Sequence, residues 1–323
     1  MNGGKRGIIV ITVVSLMIWI SAIVNIEAKE SYPVRPITII VQNPPGGSLD
    51  LAARELAIYM RKYLNTPIII SNVPGALGSL AYMKGYKAKS DGYTLLIWNT
   101  MPPILQGYRK KADYEALKYT PIAGISIDYN ILVGSAGGHN NIADYVKQAK
   151  EKNTTIGGNG QYSASGFQAR LMAQELDMKV NWVNFGGAAE SLSSLAGKHI
   201  DAVATMTDSV GPLVRAGKIV PLLIYAKKRL PRFPDVPVPD EIGLSSPLIS
   251  SYLGLVGPPG LDKEKVKILE AAARKAVRHP DYVAWKENVS TSELAFISAD
   301  QYKIEIERFA KIAEKYKSFL NMN

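Results

Sequence analysis

The chain has 323 residues, 47% apolar and 20% charged, a balance that excludes a disordered chain and allows two core-forming lobes. Its formal net charge of +10 suits nucleic acid, an anionic membrane surface or small anions. The absence of cysteine excludes disulfides, thiolate catalysis, iron–sulfur clusters and a lipidated N-terminal cysteine. The positive charge is scattered. Its densest clusters, Arg109, Lys110 and Lys111 and then Lys227, Lys228 and Arg229, lack the interleaved aromatics of a single-strand platform, so nucleic acid is not expected as a partner.

In chain order, Lys5 and Arg6 precede the charge-free run GIIVITVVSLMIWISAIVNI, followed by Ala28 and the charged Lys29 and Glu30. A run of about 20 apolar residues behind a basic start is an export signal, long enough to span a bilayer. Residues 1–28 are expected to be a signal peptide cut near Ala28, or an N-terminal anchor if uncut, since Ile26 fits the cleavage motif poorly. Either way the rest of the chain is periplasmic or otherwise extracytoplasmic.

After Tyr32, β-type runs alternate with helical patterns, the sign of βα units and mostly parallel sheets. PITIIVQ reads as a strand. Leu49, Ala52, Ala53, Leu56, Met60, Tyr63 and Leu64 then recur at steps that place them on one helix face. PIIIS and TLLIW are further strands, with a helix over 77–87 between them. NILVG, TTIG, VNWVNF, IDAVAT and IVPLLIYA follow as strands, separated by helices over 142–151, 166–176, 188–196 and 209–216. YLGLVG reads as a first-lobe strand resumed after an excursion. A helix from 262 ends near Arg278, where His279 and Pro280 break the pattern. In the last helix Tyr302, Ile306, Phe309, Ala313, Tyr316 and Leu320 form one face that straps a lobe. PIAGISIDYN and RFPDVPVPDEIGLSSP are the two places where the chain passes between lobes. The expected division is residues 29–128 plus 252–323 as lobe 1 and 129–251 as lobe 2, with a hinge of two crossing segments.

The stretch QNPPGGSLDLAAR, residues 42–54, stops a strand and opens a helix. Ser48 is the expected N-cap, and the glycines bring backbone amides to the surface. The free N–H groups and partial positive charge of a first helical turn accept an anion, although an ordinary capped turn reads the same way. Asp50 either orders this loop or meets a cationic part of a ligand. The Walker pattern is absent, and GGNGQYSASG has Ser163 where a dinucleotide fingerprint needs its third glycine. That segment reads better as a second helix N-terminus with Ser163 and Ser165 as hydroxyl donors, and NFGGAAESLSSLAG supplies a third such turn. His139, His199 and His279 read as solvated surface residues. There is no HExxH, no paired His–Asp spacing and no GxSxG elbow, so neither a metal nor a cofactor is expected and no reaction is proposed by the text.

The ordered series PGGSLDLAAR, NVPGALGSLA, DGYTLL, VNFGGAAESLSSLAGKHIDAV, LVRAGKIVPLLIYAKKR, FPDVPVPDEIG and LGLVGPPGLDKEKV resembles the tripartite tricarboxylate transporter substrate-binding receptors, the Bug or TctC family. The resemblance runs from about Tyr32 to Glu287. It implies a two-lobed periplasmic-binding-protein-like α/β fold, each lobe a mostly parallel sheet flanked by helices. It further implies no enzymatic activity, and a monomeric receptor that captures a small carboxylate between the lobes and delivers it to integral membrane permease subunits. Carried over residue by residue, the ligand loops fall on Gly46, Gly47, Ser48, Leu49 and Asp50, and on Gly75, Ala76 and Gly78. In the second lobe they fall on Gly160, Ser163 and Ser165, and on Gly186, Gly187 and Ala188, with Asp208 close to the cleft. The chain departs from the family at Gln42 and Asn43, and at Gly166 or Phe167 where many members have a histidine. These departures bear on the ligand's identity. The alternatives are a hydrolase using Ser163 or Ser48, and a sensor that passes occupancy to a membrane signalling partner.

Overall fold

The computed structural model describes residues 32–108, 112–159, 163–289 and 293–318. The export signal at 1–28 lies outside the described residues, as do Arg109, Lys110, Lys111, Gly160 and Leu320. From Arg35 onward the chain forms one compact unit.

Strand β1 (Ile37–Val41) leads through the glycine loop into α1 (Ser48–Leu64), followed by β2 (Ile68–Asn72), α2 (Ser79–Tyr86), β3 (Thr94–Asn99) and α3 (Met101–Gly107). The 16-residue β4 (Thr120–Ser135) comes next. Beyond it lie α4 (Ile142–Glu151), β5 (Thr154–Gly158), α5 (Ala164–Glu175), β6 (Val180–Asn184), α6 (Ala188–Ala196), β7 (Ala202–Met206), α7 (Thr207–Arg215) and β8 (Ile219–Ile224). The chain closes with β9 (Ser250–Gly257), α8 (Lys263–Val277), α9 (Pro280–Val289), β10 (Glu293–Ser298) and α10 (Ala299–Lys315).

The strands join in the order β2-β1-β3-β9-β4-β7-β5-β6, with β8 and β10 also pairing to β4. At one wing β1 runs parallel to β2 and β3, and at the other β5 runs parallel to β6 and β7. The centre is antiparallel: β9 pairs with β3 and β4, and β4 with β7, β8 and β10. β4 changes partners midway. Its residues up to Tyr129 pair with β9, and those from Asn130 pair with β7. PIAGISIDYN, expected as a passage between lobes, is thus the first part of one strand that continues through NILVG.

The β-branched run of β1 is buried except at the half-buried Thr38, as expected of a strand covered on both faces. Of the residues expected on the inner face of α1, all are buried except Tyr63, and the helix stops at Asn65, which takes the left-handed conformation of a C-cap. α1 packs on α8 and β2. α10 buries Tyr302, Ile306, Phe309 and Ala313 as the spacing predicts. The Tyr302 hydroxyl accepts from Trp98 Nε1 at 2.8 Å and lies 2.8 Å from Thr100 Oγ1, so this helix is pinned to β3 at the base of the core.

Three elements were not expected, the first being α3 after Thr100. His279 and Pro280 do end α8, but Pro280 also opens α9, because a first helical residue needs no N–H and has its φ already set. β10 pairs antiparallel to the first part of β4.

Candidate functional site

The chain leaves β1 through a turn closed by Gly47 N–H to the Pro44 carbonyl at 3.1 Å, with Gly46 at a left-handed φ of +83°. α1 starts one residue earlier than the sequence reading places it. Gly47 is the N-cap, Ser48 is the first helical residue, and no side chain caps the free amides. By contrast, α4, α5, α8 and α10 are capped by the side chains of Asn141, Ser163, Asp262 and Ser298.

Asp50 orders the loop. It is 1% exposed, and its Oδ2 accepts from Gly46 N–H and Arg54 Nε, each at 2.9 Å. Its Oδ1 accepts from Asn72 Nδ2 at 2.8 Å. Burial alone would raise the carboxyl's pKa, but the bonds from Arg54, Gly46 and Asn72 outweigh it and lower the value from 3.8 to about 2. A carboxylate held this way contributes stability that is present above pH 4 or so and is lost as pH falls through about 2. We expect Asp50→Asn to remove about 1–2 kcal/mol at neutral pH and to flatten the acid limb of the unfolding curve. Urea melts from neutral pH down to about 2 check this, and an unchanged acid limb would count against the assignment.

Beside this helix end lies a cavity of about 180 Å³ lined by Ser48, Leu49, Leu51 and Ala52 of α1, Asn99 of β3, Ser126 and Asp128 of β4, Asp208 of α7, Leu253 of β9, and Trp285 and Lys286 of α9. Three charged side chains line it, Asp128, Asp208 and Lys286. Asp128 Oδ1 accepts from Thr207 Oγ1 at 2.6 Å and from Asp208 N–H at 3.3 Å, so this strand residue caps α7 from outside that helix. Burial and the neighbouring Asp208 carboxylate push the Asp128 carboxyl well above the usual carboxylate range, against the opposing pull of Thr207 and Lys286. Lys286 is 7% exposed, and desolvation lowers its pKa although both aspartates act to raise it.

Of the site residues expected from the sequence, Ser48, Leu49 and Asp208 line this cavity. Gly46, Gly47 and Asp50 build the turn that presents α1. Gly75, Ala76 and Gly78 form a separate turn in left-handed backbone, held by Gln106 Nε2 donating to the Leu77 carbonyl at 2.7 Å. Ser163 Oγ caps α5 by accepting from Gly166 N–H at 3.0 Å and lies 3.2 Å from Ser165 Oγ. Gly186 N–H donates to Glu190 at 2.9 Å, and Gly187 is the N-cap of α6, which begins at Ala188. None of these later residues lines the cavity. Gln42 and Asn43 do not line it either: a Cβ at Gly78 would sit 2.9 Å from Gln42 Oε1, and one at Gly47 3.0 Å from Asn43 Cβ. Nor is every histidine solvated. His139 is buried against Tyr145, and His279 lies on Tyr59 with ring centroids 4.4 Å apart.

The sequence reading missed Asn99, Ser126, Asp128, Leu253, Trp285 and Lys286. Asp128 is the one acid in the 16-residue β4, a signal that shows only once the strand itself is known. No side chain is arranged here as a nucleophile with its base. An α/β fold with a small mixed-polarity cavity, lined by an uncapped helix end and by buried charge, has the make-up of a small-ligand site. The model of the tripartite tricarboxylate transporter family receptors, TctC, matches residues 52–315, and the chain belongs to that family. A UPF0065 protein of Cupriavidus necator is 29% identical over 290 residues, covering 88% of this chain and 85% of its own. A TctC solute-binding protein from Polaromonas is 25% identical with a TM-score of 0.75, over 88% of this chain and 100% of that one. MatC of Rhodopseudomonas palustris, solved with bound malate, is 25% identical with a TM-score of 0.70, over 87% of this chain and 99% of that one. The family consists of periplasmic receptors rather than enzymes, so the hydrolase alternative falls away. Among the described residues, no helix is long and apolar enough to cross a membrane.

Proposed function

We propose that the chain is an extracytoplasmic receptor that captures a small organic carboxylate and hands it to the permease subunits of a tripartite tricarboxylate-type transporter, with residues 1–28 directing export. The observation that carries this reading is the uncapped first turn of α1 opening on a cavity that the buried Lys286 also lines. A carboxylate there would take the Ser48 and Leu49 amides, and the malate bound by MatC is a ligand of that class.

Micromolar affinity requires about 8 kcal/mol, whereas one helix end gives at most about 2, so contacts from both sides of the cleft are required. In this reading the lobes, 29–128 plus 252–323 and 129–251, close about a hinge. Closure brings Gly75, Ala76 and Gly78, together with Gly160, Ser163, Ser165, Gly186, Gly187 and Ala188, onto the part of the ligand that leaves the cavity. The net charge of +10 favours the encounter, weakly at physiological salt.

Calorimetry on the purified full-length chain with mono-, di- and tricarboxylates, amino acids and aromatic acids is expected to show binding of at least one. No heat from any of them would remove the reading. Ser48→Trp, which fills the cavity mouth, should abolish whatever binding is found, and unchanged affinity would take this loop out of the site.

A further inference from the structure

Of the three charged side chains that share the cavity, only one is positive. Lys286, more than nine-tenths buried, has neither a hydrogen bond nor an ion pair among the described residues. Asp128 and Asp208 stand beside each other: the Asp208 N–H reaches Asp128 Oδ1 at 3.3 Å, and the two carboxyls are within hydrogen-bonding reach. Both carboxyls act on Lys286, so the three groups form one electrostatic cluster. The cap that Asp128 gives α7 explains one of these acids and not the second.

The elements packed around the pair supply little else that titrates. On α1, Asp50 and Arg54 are paired with each other. On β10, Glu293 accepts from the Tyr129 hydroxyl at 3.1 Å. The neighbouring strands present Asn99 of β3 and Ser251 of β9, the latter directly opposite Asp128, and neither carries charge. Arg232 acts on Lys286 and opposes its charge. With both carboxyls ionised, two anions face one buried ammonium before any ligand enters. A carboxylate on the first turn of α1 makes three. Excess buried charge is costly, and a proton on the pair relieves it while turning two repelling carboxylates into hydrogen-bonded neighbours.

Resting on the receptor reading above, we propose that the Asp128–Asp208 pair is a proton site, and that the chain captures its carboxylate together with one proton taken from solvent and held between these two side chains. Burial and Asp208 already hold the Asp128 carboxyl well above the usual carboxylate range in the free protein. Below the pair's own pKa the proton is in place and binding recruits none. Above it each binding event takes one up, so affinity falls as pH rises.

Calorimetry on the purified full-length chain, in buffers of low and high ionisation heat, counts the protons taken up. Malate and lactate are the first probes, and any other carboxylate of the panel that binds is measured the same way. From about pH 6 to about pH 9, where these acids hold no proton of their own, uptake should climb towards about one proton per ligand. Affinity should fall by up to about tenfold per pH unit in that window. Asp128→Asn and Asp208→Asn should each abolish the uptake and flatten the pH profile, with melting curves confirming the fold; Asp208→Asn leaves the cap of α7 in place. Binding with no uptake at any pH in the range overturns the proposal and leaves the receptor reading standing. Uptake that survives both substitutions but vanishes in Lys286→Met also overturns it, since the lysine would then hold the proton. No binding by any carboxylate removes the receptor reading itself, and the proton site with it.

Discussion

Replacing Lys286 with methionine is expected to stabilise the unliganded protein while weakening carboxylate binding about 10- to 100-fold. The two effects share one cause. Lys286 is 7% exposed and makes no ion pair among the described residues, and the attraction of Asp128 and Asp208 does not outweigh the desolvation of its ammonium in the free protein. Methionine has similar length and an apolar, adaptable thioether, and it removes that cost while keeping the wall of the cavity filled. A rise in Tm of about 2–4 °C corresponds to roughly 1 kcal/mol in a domain of this size. The carboxylate, in turn, loses its charged partner, typically worth about 2 kcal/mol or more when buried.

The pH dependence separates this account from simple repacking. A lysine whose folded pKa is lowered binds fewer protons in the folded state than in the unfolded one. Stability therefore rises as pH climbs through the lowered value towards the ordinary 10.5, and is lost on the way down. The rise should be present in the wild type and missing from Lys286→Met, so the difference between the two unfolding curves should vary with pH in that window. Lys286→Arg should keep binding within a few fold. Unchanged affinity in Lys286→Met would take this residue out of the ligand's reach.

Much of the scaffold was legible in the sequence. β-branched runs gave the strands, and steps of three and four gave the inner faces of α1 and α10, because both signals are local and large. The site was legible only where a local motif announced it. PGGSLD marks the start of α1, but Ser48 is the first helical residue and not the cap, a shift of one position that leaves the amides open. Lys286 was hidden because His279 and Pro280 read as a stop. The same proline starts the helix that carries the lysine into the cavity. Asp128 was hidden for the opposite reason: PIAGISIDYN, rich in turn formers, read as a passage, and its pairing with β9 and β10 comes from segments more than 120 residues later in the chain. What brings Asp128, Asp208 and Lys286 to one cavity is sheet order, and one-dimensional spacing does not contain it.

The largest expected loss of stability comes from Gly254→Ala. Gly254 sits at the centre of β9, opposite Trp98 on β3 and Gly124 on β4. Its φ is not left-handed, so the glycine is not required by backbone conformation. It is required by space, since a Cβ there would run into the ring and hydroxyl of Tyr302. That side chain has no room to give, because its hydroxyl is tied to Trp98 and Thr100 at 2.8 Å each and it is 0% exposed. Overpacking of a fixed core costs about 1–3 kcal/mol, and here the strand must also shift, so we expect about 3 kcal/mol and a fall in Tm of roughly 6–12 °C. The two residues should also be coupled. Once Tyr302→Leu has removed the ring, at its own cost of an emptied site and an unpaired Trp98 Nε1–H, since Thr100 Oγ1 still donates to the Tyr252 carbonyl, Gly254→Ala should add little further loss. A double-mutant cycle by urea unfolding measures this coupling. Additive losses would mean that the β9–α10 contact does not set the packing, and that glycine stands at this position for another reason.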